Sequence, residues 1–398
     1  MRIAIFTDTF LPQVNGVVRS IVTTANVLAK HGHSIAIFTV NAEKLSKKIK
    51  AKELDERIQV YPFSSFALPT YKELQVRIPT FVPSLYEVYR FNPDLIHSHT
   101  TFGIGWEAVM SANFLNIPLV GTHHGFLAEF LKHVKLDYRI MKPLARRYLS
   151  FYYNRCDAVI SPSVALVKEL MQYKLRRPVH VLSNPVDLKY FSVNKTKEFL
   201  RKKFRLNKSV IIHFGRLSYE KSTDLVLKAF AQILNWGIDA QLIIIGDGPE
   251  RGKLEAIGRK LNIDKSVEFT GTLRDNDLTE RIAAGDFFVS ASTIETQGLV
   301  FLEAMALGLP VIGVNAGGVP EYVDNGKNGF IVEPGNVRAI AEAMKKFIEH
   351  PELRDSFGQN AKECVKKYDA EIIVGEKKCT RLWLKVKNPK SEINEPQL

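Results

Sequence analysis

The stretch VIIHFGRLSYEKSTDLVLKAF, residues 210–230, reads as a strand, a turn and a helix in succession. VIIHFG (210–215) is short, apolar and β-branched, which suits a strand covered on both faces of a parallel sheet. Asp224–Asn235 carries helical spacing, with Thr223 or Ser222 placed to cap it. Repeated along a chain, this unit builds an open parallel sheet with helices on both faces.

It is repeated. Downstream, QLIIIG (241–246), VEFTG (267–271), FFVSAS (287–292), PVIGV (310–314) and GFIV (329–332) read as buried strands, and Val337–Glu349 as a helix. Upstream, strands are expected at Arg2–Phe6, Ser34–Thr39, Arg57–Tyr61, Asp94–His97, Pro118–Thr122, Asp157–Ser161 and Val179–Leu182. Val17–His31 is a helix with a His-Gly stop. Two such series make two Rossmann-like, doubly wound α/β domains facing each other across a cleft. SNPVDLKYF (183–191) lacks periodicity and is the linker. The expected domains are 1–183 and 184–370, with a C-terminal helix and tail, 371–398, packing back on the first. In such sheets ligands bind beyond the carboxyl ends of the strands.

Composition narrows the class. The chain has 398 residues, 45% hydrophobic and 24% charged, so wholesale disorder is excluded. No stretch approaches the length of an apolar membrane span. The start, MRIAIFTDTF, reaches Asp8 too soon for a secretory leader. Cys156, Cys364 and Cys379 are few, odd in number and far apart, which argues against a disulfide framework and for a reducing cytoplasm. The net charge of +13 is uneven: residues 1–183 hold 23 Lys/Arg against 13 Asp/Glu, whereas residues 184–370 hold 26 against 25. A basic first half suggests an anionic neighbour: nucleic acid, an acidic lipid surface or a charged substrate.

ETQGLVFLEAMALGLPVIG (295–313) carries the strongest chemical signal. Glu295 follows a strand, Gln297 and Gly298 fall at a junction, and Glu303 lies inside a helix. Free amides at that helix start suit an oxyanion or sugar hydroxyls, and Gly298 admits a ligand close to the backbone. Glu303 is suited to accept two hydrogen bonds from a ribose diol. The competing reading is a pair of solvated glutamates. Arg216 and Lys221 flank the turn after the first strand of the second domain, where two cations neutralise a diphosphate or simply face solvent. In FLPQVNGVV (10–18), Gly16 occupies the phosphate-approach turn after the first strand; no G-x-G-x-x-G accompanies it. GDGPERG (246–252) misses that spacing too.

Together these segments resemble the retaining glycosyltransferases of the GT-B fold, in the large family 4 of glycogen- and lipid-type sugar transferases. The matching pieces run in order from residue 1 to about 370: Pro12 to Val17, Gly215-Arg216 with Lys221, Gly246-Asp247-Gly248-Pro249, the E-x7-E pair Glu295 and Glu303 continuing to Val311, then Gly317-Gly318, Glu321 and the Asn-Gly at Gly329. The resemblance implies that Arg216 and Lys221 bind the donor diphosphate and Glu295 touches the donor sugar. It implies that the amides around Gly298, Leu299 and Val300 hold sugar and phosphate, that Glu303 grips the ribose, and that Gly16 approaches the phosphates. Where the family usually has Phe-Gly, this chain has Gln297-Gly298, which bears on sugar preference. In VGTHHGFLAEF (120–130) the family places one histidine at the site, and the register after Gly-Thr selects His124 over His123.

The implied donor is a nucleotide diphosphate hexose, UDP-glucose or GDP-mannose, used with retention. A front-face route fits better than a two-carboxylate route, since no second carboxylate stands out in the first domain. Domain closure would exclude water. No active-site metal is expected: His97-Ser98-His99 lacks a third ligand, and Asp275-Asn276-Asp277 reads as the cap of a helix Leu278–Ala284. From Phe126 to Arg155, Lys132, Lys135, Arg139, Lys142, Arg146, Arg147 and Arg155 interleave with Phe, Leu and Tyr, opposed only by Glu129 and Asp137. That pattern fits a helix lying on anionic lipid, or an amphipathic helix with a solvated basic face. The acceptor is expected to be a membrane lipid such as diacylglycerol or phosphatidylinositol, met at the inner face of the plasma membrane; a soluble sugar or sugar phosphate is the alternative. A GT-B epimerase is disfavoured by motif order. A basic nucleic-acid binder is disfavoured because no groove-reading helix, stacking platform or repeat is present.

Overall fold

The computed structural model describes residues 1–13, 15–40, 53–68, 71–78, 80–126, 138–375 and 379–387. The chain divides into two compact units: one is Met1–Pro185 together with the chain from Ala370 onward, the other Val186–Asp369.

In the first unit the strands are β1 (Arg2–Thr7), β2 (Ser34–Val40), β3 (Gln59–Phe63), β4 (Phe66–Leu68), β5 (Tyr71–Val76), β6 (Leu95–Ser98), β7 (Leu119–Thr122), β8 (Ala158–Ser161) and β9 (Val179–Val181). Seven of them form a parallel sheet in the order β3-β2-β1-β6-β7-β8-β9. β4 and β5 make a separate antiparallel hairpin that apolar patterning does not announce. The period-2 geometry of a strand sends Ile3 and Ile5 into the core on one face of the sheet and Ala4 and Phe6 into the core on the other. Trp383, on the helix Cys379–Lys387, is fully buried in the same core as Ile3 and Ile5.

The second unit has β10 (Ser209–Phe214), β11 (Ala240–Ile245), β12 (Val267–Gly271), β13 (Phe287–Val289), β14 (Val311–Val314) and β15 (Gly329–Val332), all parallel, in the order β12-β11-β10-β13-β14-β15. Ile243 and Ile245 serve one core and Leu242 and Ile244 the other. Both sheets are therefore doubly covered and doubly wound. Chain order reverses between β1 and β6 in the first and between β10 and β13 in the second, so each has one switch point where a ligand crevice forms.

Local expectations shift in four places. The strand expected over 287–292 ends at Val289, and Ser290 to Ser292 leave the sheet as loop. Gly16 is not a turn residue: it is the first residue of the helix Gly16–Lys30, whose N-cap Asn15 accepts a 2.9 Å hydrogen bond from the Val18 amide. The helix expected at Leu278 begins at Asp275, with Arg274 at its N-cap, so Asp275 and Asp277 occupy its first turn. Neither Ser222 nor Thr223 caps the helix Thr223–Asn235: Ser222 stands at the N-cap with φ +50° and no side-chain cap bond, and Thr223 is engaged by His213.

Candidate functional site

At the switch point of the second unit, β10 hands the chain to Gly215. Gly246 packs so closely on the Gly215 carbonyl that a Cβ there would collide with it. The Gly215 amide donates to Ile245 O at 3.0 Å and the Leu217 amide to Asp247 O at 2.9 Å. Gly246 and Gly248 thus pack the loops after β10 and β11 onto one another. A short 3-10 turn, Tyr219–Lys221, then presents Lys221, whose Nζ donates to Glu295 Oε1 at 2.7 Å. Glu295 is buried and Lys221 about a quarter exposed, so the pair is partly screened from water.

His213 fixes this corner. Burial pushes it down to about 4, so it is neutral. Its Nδ1–H donates to Val289 O at 2.8 Å, which leaves Nε2 to accept from the Thr223 hydroxyl at 3.0 Å. One neutral imidazole therefore ties β10 to β13 and to the helix that follows Lys221.

From β13 the chain runs to Glu295, Gln297 and Gly298. Gly298, at φ +69°, is the N-cap of the helix Leu299–Ala306. That left-handed backbone favours glycine, and a Cβ would also strike the Tyr322 hydroxyl, which is buried beneath it. The Glu295 carbonyl accepts from the Gly318 amide at 2.8 Å, which binds the Gly317-Gly318 turn to the loop. Val300 Cγ1 stands 3.7 Å from where a Cβ on Gly215 would lie, so the start of this helix faces the β10 loop. The fold brings Gly215, Lys221, Glu295, Gly298 and Val300 together at one end of the sheet; Arg216 follows Gly215 directly. Gln297 and Glu303 are both buried, the latter on the same helix.

At the switch point of the first unit four histidines gather. His99 and His97 come from the end of β6, His123 and His124 from the end of β7. His99 Nδ1 and His124 Nε2 are hydrogen bonded at 2.8 Å, and the rings of His97 and His99 lie 4.1 Å apart. His97 Nε2 bonds the Thr122 hydroxyl at 2.6 Å and His123 Nδ1 the Tyr153 hydroxyl at 3.0 Å. Burial pushes His97 and His123 down to about 3, His124 to about 4, and His99 well below its usual value, with nearby His124 adding to the effect on the other three. Beside them, after β1, burial raises Asp8 to about 6 against hydrogen bonds from the Thr100 hydroxyl and the Ile104 amide. His97, His99, His124, Ser20, Thr24 and Asn184 line a cavity at this end of the sheet.

Sequence reasoning selected His124 and missed its companion His99; His-x-His at a strand end was the available signal. It also missed Asp8, which a lone carboxylate after a strand does not announce. Gly16 stands exposed at its helix start in the same unit.

The profile described as "Glycosyl transferases group 1" matches residues 194–364, and that of "Glycosyltransferase Family 4" matches residues 14–190. The alpha-monoglucosyldiacylglycerol synthase of Streptococcus pneumoniae is 32% identical over 318 residues, 78% of this chain and 70% of its own length. The chain belongs to the group 1, family 4 glycosyltransferases. A GDP-mannose-dependent alpha-mannosyltransferase of Corynebacterium glutamicum is 29% identical over 87% of this glycosyltransferase and 80% of its own length. The solved structure of Anabaena HepE in complex with UDP-glucose shares the GT-B fold, with a TM-score of 0.75 at 22% identity, covering 94% of this chain and 97% of its own.

Within this glycosyltransferase the basic segment is only partly described: Lys132 and Lys135 lie outside the described residues. The helix Tyr138–Tyr153 exposes Leu144 and Phe151, and Arg155 stacks over the Phe151 ring at 3.5 Å. Among the described residues no helix is long and apolar enough to cross a membrane, and no group of three or more His, Cys, Asp or Glu is arranged to hold a metal ion.

Proposed function

We propose that this glycosyltransferase moves a hexose, with retention, from UDP-glucose or GDP-mannose to a hydroxyl of a membrane lipid. The Lys221–Glu295 pair carries the proposal. A cation and a carboxylate held 2.7 Å apart at the switch point can separate onto a nucleotide sugar, lysine to the diphosphate and glutamate to the sugar. Arg216, just after Gly215, joins Lys221 on the diphosphate. The amides at Gly298, Leu299 and Val300 take phosphate and sugar oxygens, aided by the positive end of the helix. Glu303 holds the ribose, Gln297 bears on the choice of sugar, and Gly16 approaches the phosphates.

As the anomeric bond breaks, negative charge builds on the departing diphosphate. Arg216 and Lys221 oppose that charge more strongly in the transition state than before it, which is where binding raises rate. The leaving phosphate oxygen takes the acceptor proton on the same face of the sugar, and His124 orients the acceptor hydroxyl. The relatives named for diacylglycerol support a lipid acceptor, as does a basic helix with apolar side chains exposed beside its cations; both suit a peripheral position on an anionic inner membrane face. Release of UDP or GDP from a panel of donors, with and without lipid extract, tests the proposal. Lipid-stimulated release from one hexose donor is expected; no release from any donor would overturn it.

A further inference from the structure

The cavity beside His124 has no charged side chain among its described lining residues. It lies where β6 and β7 end, lined also by Ser20 and Thr24 of the helix Gly16–Lys30, by Asn184, whose Oδ1 accepts from the Ser20 hydroxyl at 2.9 Å, and by Cys379. Hydroxyls, an amide, a thiol and three imidazoles line it together with the apolar side chains of Ile160, Leu182, Pro185, Ile373 and Val374; none of its lining residues among those described is Asp, Glu, Lys or Arg. This holds inside the half of the chain that carries most of the net positive charge.

We infer that this cavity takes an uncharged, hydroxyl-bearing group, and that the His99–His124 pair reads that group with one donor and one acceptor. The inference rests on the proposed function only in taking that group to be the reactive end of the acceptor.

A neutral imidazole has one proton on two nitrogens. The 2.8 Å bond between His99 Nδ1 and His124 Nε2 uses one of the pair's two protons. If His99 donates, the second proton sits on His124 Nδ1 and His99 Nε2 is bare. If His124 donates, the second proton sits on His99 Nε2 and His124 Nδ1 is bare. Either way the two outer nitrogens offer one donor and one acceptor, and both arrangements carry no charge. An alcohol, which both donates and accepts, satisfies either one. His99 Nε2 and His97 Nδ1 are buried with no hydrogen-bond partner among the described residues, a costly condition that a hydroxyl would relieve. Burial keeps all three imidazoles and the Cys379 thiol neutral, which fits the same picture.

An ionised phosphate fares differently. It would leave water for a site without a cation among the described lining residues, and burying an unpaired charge is strongly unfavourable. The cavity therefore favours an acceptor whose reactive hydroxyl enters without its phosphate, and a sugar over its phosphate. Surface cations gather an anionic membrane; the cavity selects an uncharged hydroxyl-bearing end from it.

The full chain, labelled with 15N at histidine, tests this by NMR titration with glycerol, methyl α-glucoside, glycerol 3-phosphate and glucose 6-phosphate. The His99 and His124 resonances are expected to respond to a neutral probe with a Kd at least roughly tenfold below that for its phosphate. Response to glycerol rather than the glucoside marks a lipid-type end; the reverse marks a sugar. His99→Asn, which keeps a group near Nδ1 and removes Nε2, should weaken the neutral probe while UDP binding by calorimetry stays unchanged. Equal or tighter binding of either phosphate overturns the inference. So does silence of both histidines toward all four probes in a protein that still binds UDP, and that outcome leaves the proposed donor chemistry standing. Failure to bind or turn over any nucleotide sugar strikes the proposed function instead.

Discussion

The two switch points sit at the same place in two sheets of the same kind, and they differ in charge. In the second unit Lys221 and Glu295 hold full charges 2.7 Å apart at the rim of a buried corner. In the first, four histidines lean on one another and on hydroxyls, and burial keeps them neutral. The net charges run the other way: the first half of the sequence is strongly basic and the second nearly neutral. Net charge thus describes what a surface attracts, whereas the site is set by the few side chains that follow the strands. A nucleotide diphosphate needs fixed counter-charges, and an alcohol needs a donor and an acceptor.

Removing the charged side of this contrast should have the largest effect. Lys221→Ala is expected to lower kcat by about 10²–10³, the usual loss on deleting one group that meets developing negative charge, with circular dichroism unchanged. Equal turnover in that variant would break the comparison at its strongest point. Glu303→Gln keeps the shape of the side chain and removes its charge. A lost charged hydrogen bond to the ribose should weaken UDP binding by about tenfold to a hundredfold in calorimetry. Unchanged affinity would remove Glu303 from the donor site.

The contrast was only half legible in the sequence. VIIHFG and QLIIIG are apolar runs with one possible fate, so the paired sheets followed from them, and Glu295 and Lys221 stand at strand ends where polar residues attract notice. The neutral site escaped because its members are ordinary one by one. His97 and His99 look like half a metal site, and His123 and His124 are adjacent in sequence yet bond to different partners. Nothing in the spacing says that a histidine after β6 reaches one after β7, because that contact is made through sheet order. The hairpin of β4 and β5 was missed for a similar reason: its strands pair with each other and belong to neither parallel sheet. Gly16 was placed in a turn because glycine usually marks one, but Asn15 supplies the cap and the glycine falls inside the helix.

A change of intermediate size probes how the charged site is framed. Gly298→Ala puts a Cβ on a residue at φ +69° and against the Tyr322 hydroxyl. Strain at such a position costs about 1–3 kcal/mol, so the midpoint in urea should fall. Adding Tyr322→Phe removes the hydroxyl but not the backbone strain, and the double variant should recover part of the loss. No recovery would mean that the backbone angle alone explains the glycine.

The pH dependence of stability probes the neutral site and its neighbour Asp8. The histidines titrate lower in the folded protein than the usual 6.5: His97 and His123 near 3, His124 near 4. Between those values and 6.5 the unfolded chain binds more protons, so their contribution is complete above pH 6.5 and is lost as pH falls toward 4 and then 3. Asp8 runs the opposite way. Its folded value of about 6 lies above its ordinary 3.8, so the folded chain binds more protons in that window. Its contribution is complete below pH 3.8 and is lost as pH rises through 6. Asp8→Asn deletes this opposing trend and leaves the histidines. Urea unfolding at intervals from pH 4 to 8 should show the variant gaining on the wild type as pH rises, with most of the gain complete just above pH 6. His123→Phe should do the reverse, flattening the rise between pH 4 and 6.5. A difference between Asp8→Asn and the wild type that stays constant across this range would mean that Asp8 ionises in the folded protein as it does in water, and that the polarity of this switch point is set without it.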